Sequence, residues 1–320
     1  MGTMMRLESH PPRTGLRHYI STKDMTADET LAVLELAGEL KRDQKARKPH
    51  PRLAGRTLAM IFQKPSLRTR VSFETGMTQL GGHAIYLGPD DIKLGQRETT
   101  EDIAIVLARM SDVIMARVFA HVIVEELARY STVPVINGLS DHEHPCQILG
   151  DLLTIHERRG RLKGLRAVFV GDGNNVANSL LYGGALTGMH VTVAGPEEFA
   201  PSNDVLAEAR ELAARTGAEI RATTDLAAAV KGADVIYTDV WTSMGQEAEA
   251  KHRRAAFKHY QVNASVMEKA AKDAVLLHCL PAHYGEEIDY ATSRTPQSAI
   301  FDQAENRLHA QKALMVTLAG

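Results

Sequence analysis

The chain has 320 residues, and at roughly 150 residues per domain that length suggests two domains. Hydrophobic residues make up 44% and charged residues 24%, which excludes a disordered chain, a collagen-like one and a coiled-coil rod. Lys and Arg number 37 against 39 Asp and Glu, for a formal net charge of −2, and this balance argues against a nucleic-acid partner. The two cysteines, Cys146 and Cys279, are too few for a disulfide framework or a Cys-rich zinc site, and fit a reducing compartment. No apolar run reaches the roughly 18 residues of a membrane span, and the polar start of the chain lacks the apolar core of a signal peptide. The expectation is a soluble cytoplasmic protein with no membrane partner, whose residues 1–16 form a loose tail.

Taken in chain order, Thr26 and Glu29 form a capping box, and Leu31, Leu34, Ala37 and Leu40 continue one helical face. Lys41 to Arg52 is basic, contains two prolines and reads as a surface loop. Short apolar runs then alternate with helical patterns. Thr57–Phe62 reads as a buried strand, and Ser66–Leu80 as a helix stopped by Gly81-Gly82. Strands over Ala84–Leu87, Val113–Ala116 and Val133–Ile136 alternate with helices over Thr99–Met110 and Val122–Tyr130. Pro145–Arg159 reads as a long helix at a domain boundary. A second series has strands at Ala167–Val170, Val191–Ala194, Glu219–Ala222, Val235–Thr238 and Val275–Cys279. Its helices include Asp204–Thr216 and Leu226–Val230, and Asn306–Leu318 forms a last helix that packs back on the first domain. The order predicts an α/β fold of two doubly wound parallel-sheet domains joined by a boundary helix.

Ligands of open α/β sheets bind beyond the carboxyl ends of the strands, so the residues following each strand are the candidates for chemistry. After the first strand, Ser66 is a plausible N-cap, and the amides behind it would face an anion with about half a positive charge from the helix dipole. Arg68 and Arg70 add guanidinium forks, and Thr69 a hydroxyl, a set that suits phosphate or merely a capped helix with surface arginines. Arg117 follows the third strand. After the fourth strand come Asn137-Gly138 and then His142 and His144, without further ligands at a zinc-like spacing, so no metal is expected. His144 and Gln147, one turn apart, are read as facing one cleft. Gly171-Asp172-Gly173-Asn174-Asn175-Val176 begins like a dinucleotide fingerprint, but Val176 occupies the third glycine position. No cofactor is therefore expected, and Asn175 is left at a helix start. Asp239 ends another strand and suits an ammonium group or an N-cap. His278 and Cys279 are neighbours on a strand and point to opposite faces, so the histidine is poorly placed to activate the thiol. Arg307 is a further anion candidate.

Five blocks resemble, in order, those of the aspartate/ornithine carbamoyltransferase family. They are Ser66-Leu67-Arg68-Thr69-Arg70, His144-Pro145-Cys146-Gln147, Asp239 through Ser243-Met244-Gly245, His278-Cys279-Leu280-Pro281 and Glu305-Asn306-Arg307. The resemblance spans about Arg17 to Leu318. It implies transfer of the carbamoyl group of carbamoyl phosphate to the δ-amine of L-ornithine, giving L-citrulline and phosphate. Another amine, such as putrescine or an N-acylated ornithine, and a non-catalytic relative are the alternatives. Residues 1–150 would bind carbamoyl phosphate and 151–320 ornithine. By resemblance Ser66, Leu67, Arg68, Thr69, Arg117, His144, Gln147, Cys279, Leu280 and Arg307 bind carbamoyl phosphate. Asn175, Asp239, Ser243 and Met244 bind ornithine. Arg68, Thr69, Arg117, His144, Asp239 and Cys279 are the catalytic candidates. The family usually has Thr where this chain has Leu67, and some relatives have Arg at the position of Tyr284. The family also implies a homotrimer or a multiple of trimers.

Overall fold

A computed structural model describes residues 17–94, 97–243, 245 and 247–320. The expected tail, residues 1–16, and Met244 lie outside the described residues. The first half contains α1 (Ala27–Lys45), β1 (Thr57–Phe62), α2 (Leu67–Gln79), β2 (His83–Leu87), α3 (Pro89–Ile92), α4 (Thr100–Met110), β3 (Val113–Arg117), α5 (His121–Tyr130) and β4 (Val135–Leu139). The long helix α6 (Pro145–Arg159) follows. The second half contains β5 (Arg166–Val170), α7 (Asn175–Thr187), β6 (His190–Ala194), α8 (Asn203–Ala213), β7 (Ile220–Thr223), α9 (Leu226–Val230) and β8 (Val235–Thr238). It ends with α10 (Ala250–Phe257), α11 (Ala264–Met267), β9 (Val275–His278) and α12 (Ile300–Ala319).

Two parallel sheets result, with strand orders β2-β1-β3-β4 and β7-β6-β5-β8-β9. The central strands are apolar throughout because helices cover both sheet faces. Leu58 to Phe62, for example, are all buried. Thr26 caps α1 with the expected reciprocal bonds to Glu29. That helix extends to Lys45, deeper into the supposed loop, with Arg42 and Lys45 complementing its carboxyl end. Helices α6 and α7 each bury an unbroken run, Pro145–Ile155 and Val176–Thr187. Such helices lie in the interior rather than on its rim.

Two expectations need correction. The fourth strand runs through Asn137-Gly138 instead of ending before them. An Asn-Gly pair is a strong turn signal, but here it sits where the register shifts between Ala116 and Arg117. A Cβ on Gly138 would meet Met115 Sδ at 2.5 Å and the Ala116 carbonyl oxygen at 3.3 Å, so a side chain there would displace Met115. The last helix starts at Ile300, not at Asn306. Its N-cap, Ala299, makes no side-chain capping bond, so this start carries no sequence signal. Helix α12 packs against α1, α2 and α6.

Candidate active site

In each sheet the strand order reverses once, between β1 and β3 and between β5 and β8. Crevices open at such switch points. The two face each other across a cavity of about 310 Å³. Ser66, Leu67, Arg68, Arg117, His144, Gln147, Asn175, Asp239, Ser243, Cys279, Leu280 and Arg307 all line it. Thr69 is fully buried behind the wall.

On the first-sheet side, Ser66 caps α2 by accepting the Thr69 amide at 3.3 Å. Three guanidiniums, from α2, β3 and α12, converge beside this helix start. Arg307 Nη2 donates to Thr69 Oγ1 at 3.0 Å, and Arg117 Nη1 reaches the same oxygen at 3.5 Å. Arg68 Nη2 donates to the Leu280 carbonyl at 2.8 Å. Leu280 turns its backbone to φ 60, the left-handed region, as it presents that carbonyl. Each of the three arginines keeps a buried Nε without a partner, and none forms an ion pair among the described residues. Burial and the facing Arg307 and Arg68 push Arg117 down to about 9. Cations with buried, unmet donors and no counter-ion form a site for an oxyanion of more than one charge. Gly150 lies against Arg307. A Cβ there would lie 3.1 Å from Arg307 Cγ and 3.2 Å from its backbone nitrogen. A larger residue there would push α12 and Arg307 outward by a few tenths of an ångström. The β3–β4 register shifts at Arg117, which ends β3 at the cavity.

His144 is the N-cap of α6, yet its ring makes no capping bond. Pro145 has no amide to satisfy, and the His144 amide itself donates to Ser179 Oγ at 2.9 Å. The ring therefore stays available to the cavity, with Nδ1 buried and unpartnered. Burial, then Arg307, Arg117 and Arg68, holds His144 well below the usual imidazole range, so it is neutral.

The opposite wall is built on β8 and β9. Asp239 accepts from Asn174 Nδ2 at 3.0 Å and from Cys279 Sγ at 3.0 Å. A buried carboxylate facing the cavity can hold an ammonium or orient an amine. Burial and Asp239 raise the Cys279 thiol well above its usual value, so it is no thiolate. His278 does not touch it. Its Nδ1 accepts the Leu280 amide at 2.9 Å and its Nε2 meets Glu287 at 2.9 Å, so both ring nitrogens are engaged away from the thiol. Asn175 donates to the Ser140 carbonyl at 2.6 Å, bridging the two halves at the cavity edge.

The residues that the family resemblance assigned to the site are in or directly behind one cavity, apart from Met244, which is not described. Arg70 is not there. It pairs with Glu74 at 2.9 Å and stacks on Tyr86 at 4.0 Å. Residues two apart on a helix point about 200° apart, so Arg68 and Arg70 cannot share a face. Leu67 is 75% exposed and also lines the cavity. Sequence reading missed Lys64 and Asp151. Lys64 lines the cavity with its ammonium 4.4 Å over the Phe119 ring, and its position directly after a strand was the available signal. Asp151, one turn beyond Gln147, gave no signal apart from that spacing.

Comparison with known proteins agrees with this geometry. Residues 17–157 match the carbamoyl-P binding domain, and residues 163–318 the Asp/Orn binding domain, described for aspartate/ornithine carbamoyltransferases. The chain is 53% identical over 304 residues to an anabolic ornithine carbamoyltransferase of Pyrococcus furiosus, covering 95% of this chain and 96% of that one. It is 53% identical over 302 residues to the ornithine carbamoyltransferase of Symbiobacterium thermophilum, covering 94% and 97%. The solved Pyrococcus furiosus enzyme superposes with a TM-score of 0.93 over 95% of this chain and 97% of that one, at 53% identity. A solved N-acetyl-L-ornithine transcarbamylase superposes at 0.85 over 95% and 100%, at 31% identity. With both halves matched and the two switch points opposed as described, the chain belongs to the aspartate/ornithine carbamoyltransferase family.

Proposed function

We propose that the protein transfers the carbamoyl group of carbamoyl phosphate to the δ-amine of L-ornithine, giving L-citrulline and phosphate. The carrying observation is the trio Arg68, Arg117 and Arg307, with unmet buried donors, facing Asp239 and Cys279 across one cavity. The ornithine assignment follows the relatives at 53% identity, and the N-acetylated substrate belongs to a relative at 31%. Residues 1–150 are assigned to carbamoyl phosphate and 151–320 to ornithine, with the boundary inside α6.

Ser66, Leu67, Arg68 and Thr69 hold the phosphate from the start of α2, with Arg307 beside them. Arg117, His144 and Gln147 surround the carbamoyl group, flanked by Cys279 and Leu280. Asn175, Asp239, Ser243 and Met244 hold ornithine. The free δ-ammonium has an ordinary value near 10, roughly, and must lose a proton before attack. Desolvation in the closed cleft favours the neutral amine, and Asp239 orients it. The nitrogen attacks the carbonyl carbon, and a C–N bond forms. The carbonyl oxygen gathers charge and is met by Thr69, Arg117 and the neutral His144. One such donor is worth about 3 kcal/mol. The C–O bond then breaks, and its electron pair leaves with phosphate toward Arg68 and Arg307. The proton left on the attacking nitrogen passes to that phosphate, which departs as hydrogen phosphate. Cys279 tunes Asp239 and forms no covalent bond.

We also infer a homotrimer, or a multiple of trimers, in the cytoplasm. Its support is family membership and the exposed apolar side chains of Leu67, Val71, Ile85, Met110 and Val122 in the first half. Among the described residues no helix is long and apolar enough to cross a membrane.

Citrulline formation tests the reading, with ornithine, putrescine, N-acetylornithine and aspartate as acceptors. Turnover with ornithine, reduced at least about a hundredfold in Arg68→Ala, is expected. Turnover only with another acceptor would overturn the ornithine assignment, and none with any acceptor would overturn catalysis.

A further inference from the structure

Asp151 lies in the interior of α6, fully buried and without a cationic partner. It is nonetheless saturated by donors from three elements. Its Oδ1 accepts Gln147 Nε2 at 2.8 Å and Gln303 Nε2 at 2.7 Å. Its Oδ2 accepts the Tyr237 hydroxyl at 2.9 Å. An ionised carboxylate can only accept, so each glutamine must turn its nitrogen toward Asp151 and its oxygen away. The oxygen of Gln303 is accounted for, because it accepts the His278 amide at 2.8 Å. The oxygen of Gln147 is not. Gln147 lines the cavity, and its Oε1 is buried with no partner.

We propose that Asp151 is a positioning residue that fixes the amide of Gln147 so that its oxygen, not its nitrogen, meets the carbamoyl group. This rests on the reading that carbamoyl phosphate occupies the cavity. An unmet buried acceptor selects a donor. On that substrate the only nitrogen donor is the carbamoyl –NH₂, since the phosphoryl oxygens face arginines. With the opposite amide orientation, Gln147 would present N–H groups to a cavity that three guanidiniums already line, and its oxygen would be lost as an acceptor for the –NH₂. The same carboxylate reaches both walls. Gln303 lies one turn before Arg307 and holds the backbone just before Cys279, while Tyr237 lies two residues before Asp239. Burial pushes the Asp151 carboxyl up to about 6, against its three donors, so it is ionised and acceptor-only above that value.

The test is a double-mutant cycle on citrulline formation, together with competitive inhibition by inorganic phosphate and a thermal melt of each variant. Gln147→Ala should raise KM for carbamoyl phosphate about tenfold, Asp151→Ala by a similar factor, and the double variant by no more than either alone. The inhibition constant of phosphate, which has no –NH₂, should move less than about twofold in all three. Asp151→Asn keeps an acceptor toward both glutamines and a donor toward Tyr237, so it should restore KM to within about threefold of the parent. Independent, multiplying effects of Gln147→Ala and Asp151→Ala would overturn the proposal. So would equal losses of carbamoyl phosphate and phosphate affinity, which would mark a merely structural role. Should Asp151→Ala not fold, Asp151→Asn decides alone, and a rise beyond about tenfold there overturns it. If the parent makes no citrulline, the proposed function and this inference fall together. If it does and Gln147→Ala weakens carbamoyl phosphate, additivity removes only the role of Asp151.

Discussion

Two pairs of neighbours show how position sorts like residues into different tasks. Arg68 and Arg70 carry the same group, yet one lines the cavity and the other is spent on Glu74 and Tyr86. His278 and Cys279 are adjacent, yet the strand turns the imidazole to Glu287 and the thiol to Asp239. The thiol is raised and donates a hydrogen bond, which a serine hydroxyl can reproduce. Cys279→Ser is therefore expected to reduce turnover by less than about tenfold. A loss on the scale of a removed nucleophile, about a million-fold, would contradict a non-covalent role. Tyr284, a departure from some relatives, stacks edge-on with Tyr290 at 5.2 Å and does not line the cavity.

Among the elements, α12 joins the halves. Asn306 bonds to Thr154 and Glu157 on α6, and Lys41 of α1 reaches Asn306 at 2.8 Å. One turn and a half further on, Lys312 is buried with no carboxylate partner. Its ammonium donates to Gln79 Oε1 at 2.8 Å, to the Leu40 carbonyl at 3.5 Å and toward His50 Nε2 at 3.1 Å. Burial pushes Lys312 down to about 8. The unfolded chain holds that proton up to the ordinary lysine value, so between the two values it binds more protons than the folded one. Stability gains a contribution that rises with pH across that window. Lys312→Met removes it. The difference in denaturation midpoint between parent and variant should grow as pH rises from about 8 toward 10, and a constant difference would contradict this assignment.

For the molecule as a whole, function lies between two sheets that are each incomplete. The first supplies cations without an anion and the second a carboxylate without a cation. Polar contacts hold them in register. Asn175, Asn178 and Ser179 on one face of α7 bond to Ser140, His142 and Glu143 in the loop before His144. Binding an anion between the arginines relieves buried like charges, so phosphate should stabilise the folded protein. At a hundred times its Kd, about 2.7 kcal/mol is expected, read as a rise in melting temperature that is largely lost in Arg68→Ala. An equal rise in both proteins would place the anion elsewhere.

The sequence by itself determined the two α/β halves, because buried parallel strands and amphipathic helices leave period and length in the residue order. It also determined the strand-end candidates and, through five spaced blocks, the family. Strand-end chemistry is legible because the topology sends those residues to a crevice whatever the details. Other features were decided only by the tertiary structure. Asn137-Gly138 reads as a turn, yet a bulge opposite Arg117 keeps it in the strand. The start of α12 carries no cap residue and so no signal. Arg70 left the site because helical rotation, not residue type, chose between two arginines. Asp151 reads as one more acid on a helix. Its role exists only where α6, α12 and β8 meet, since a buried carboxylate is defined by the donors that converge on it.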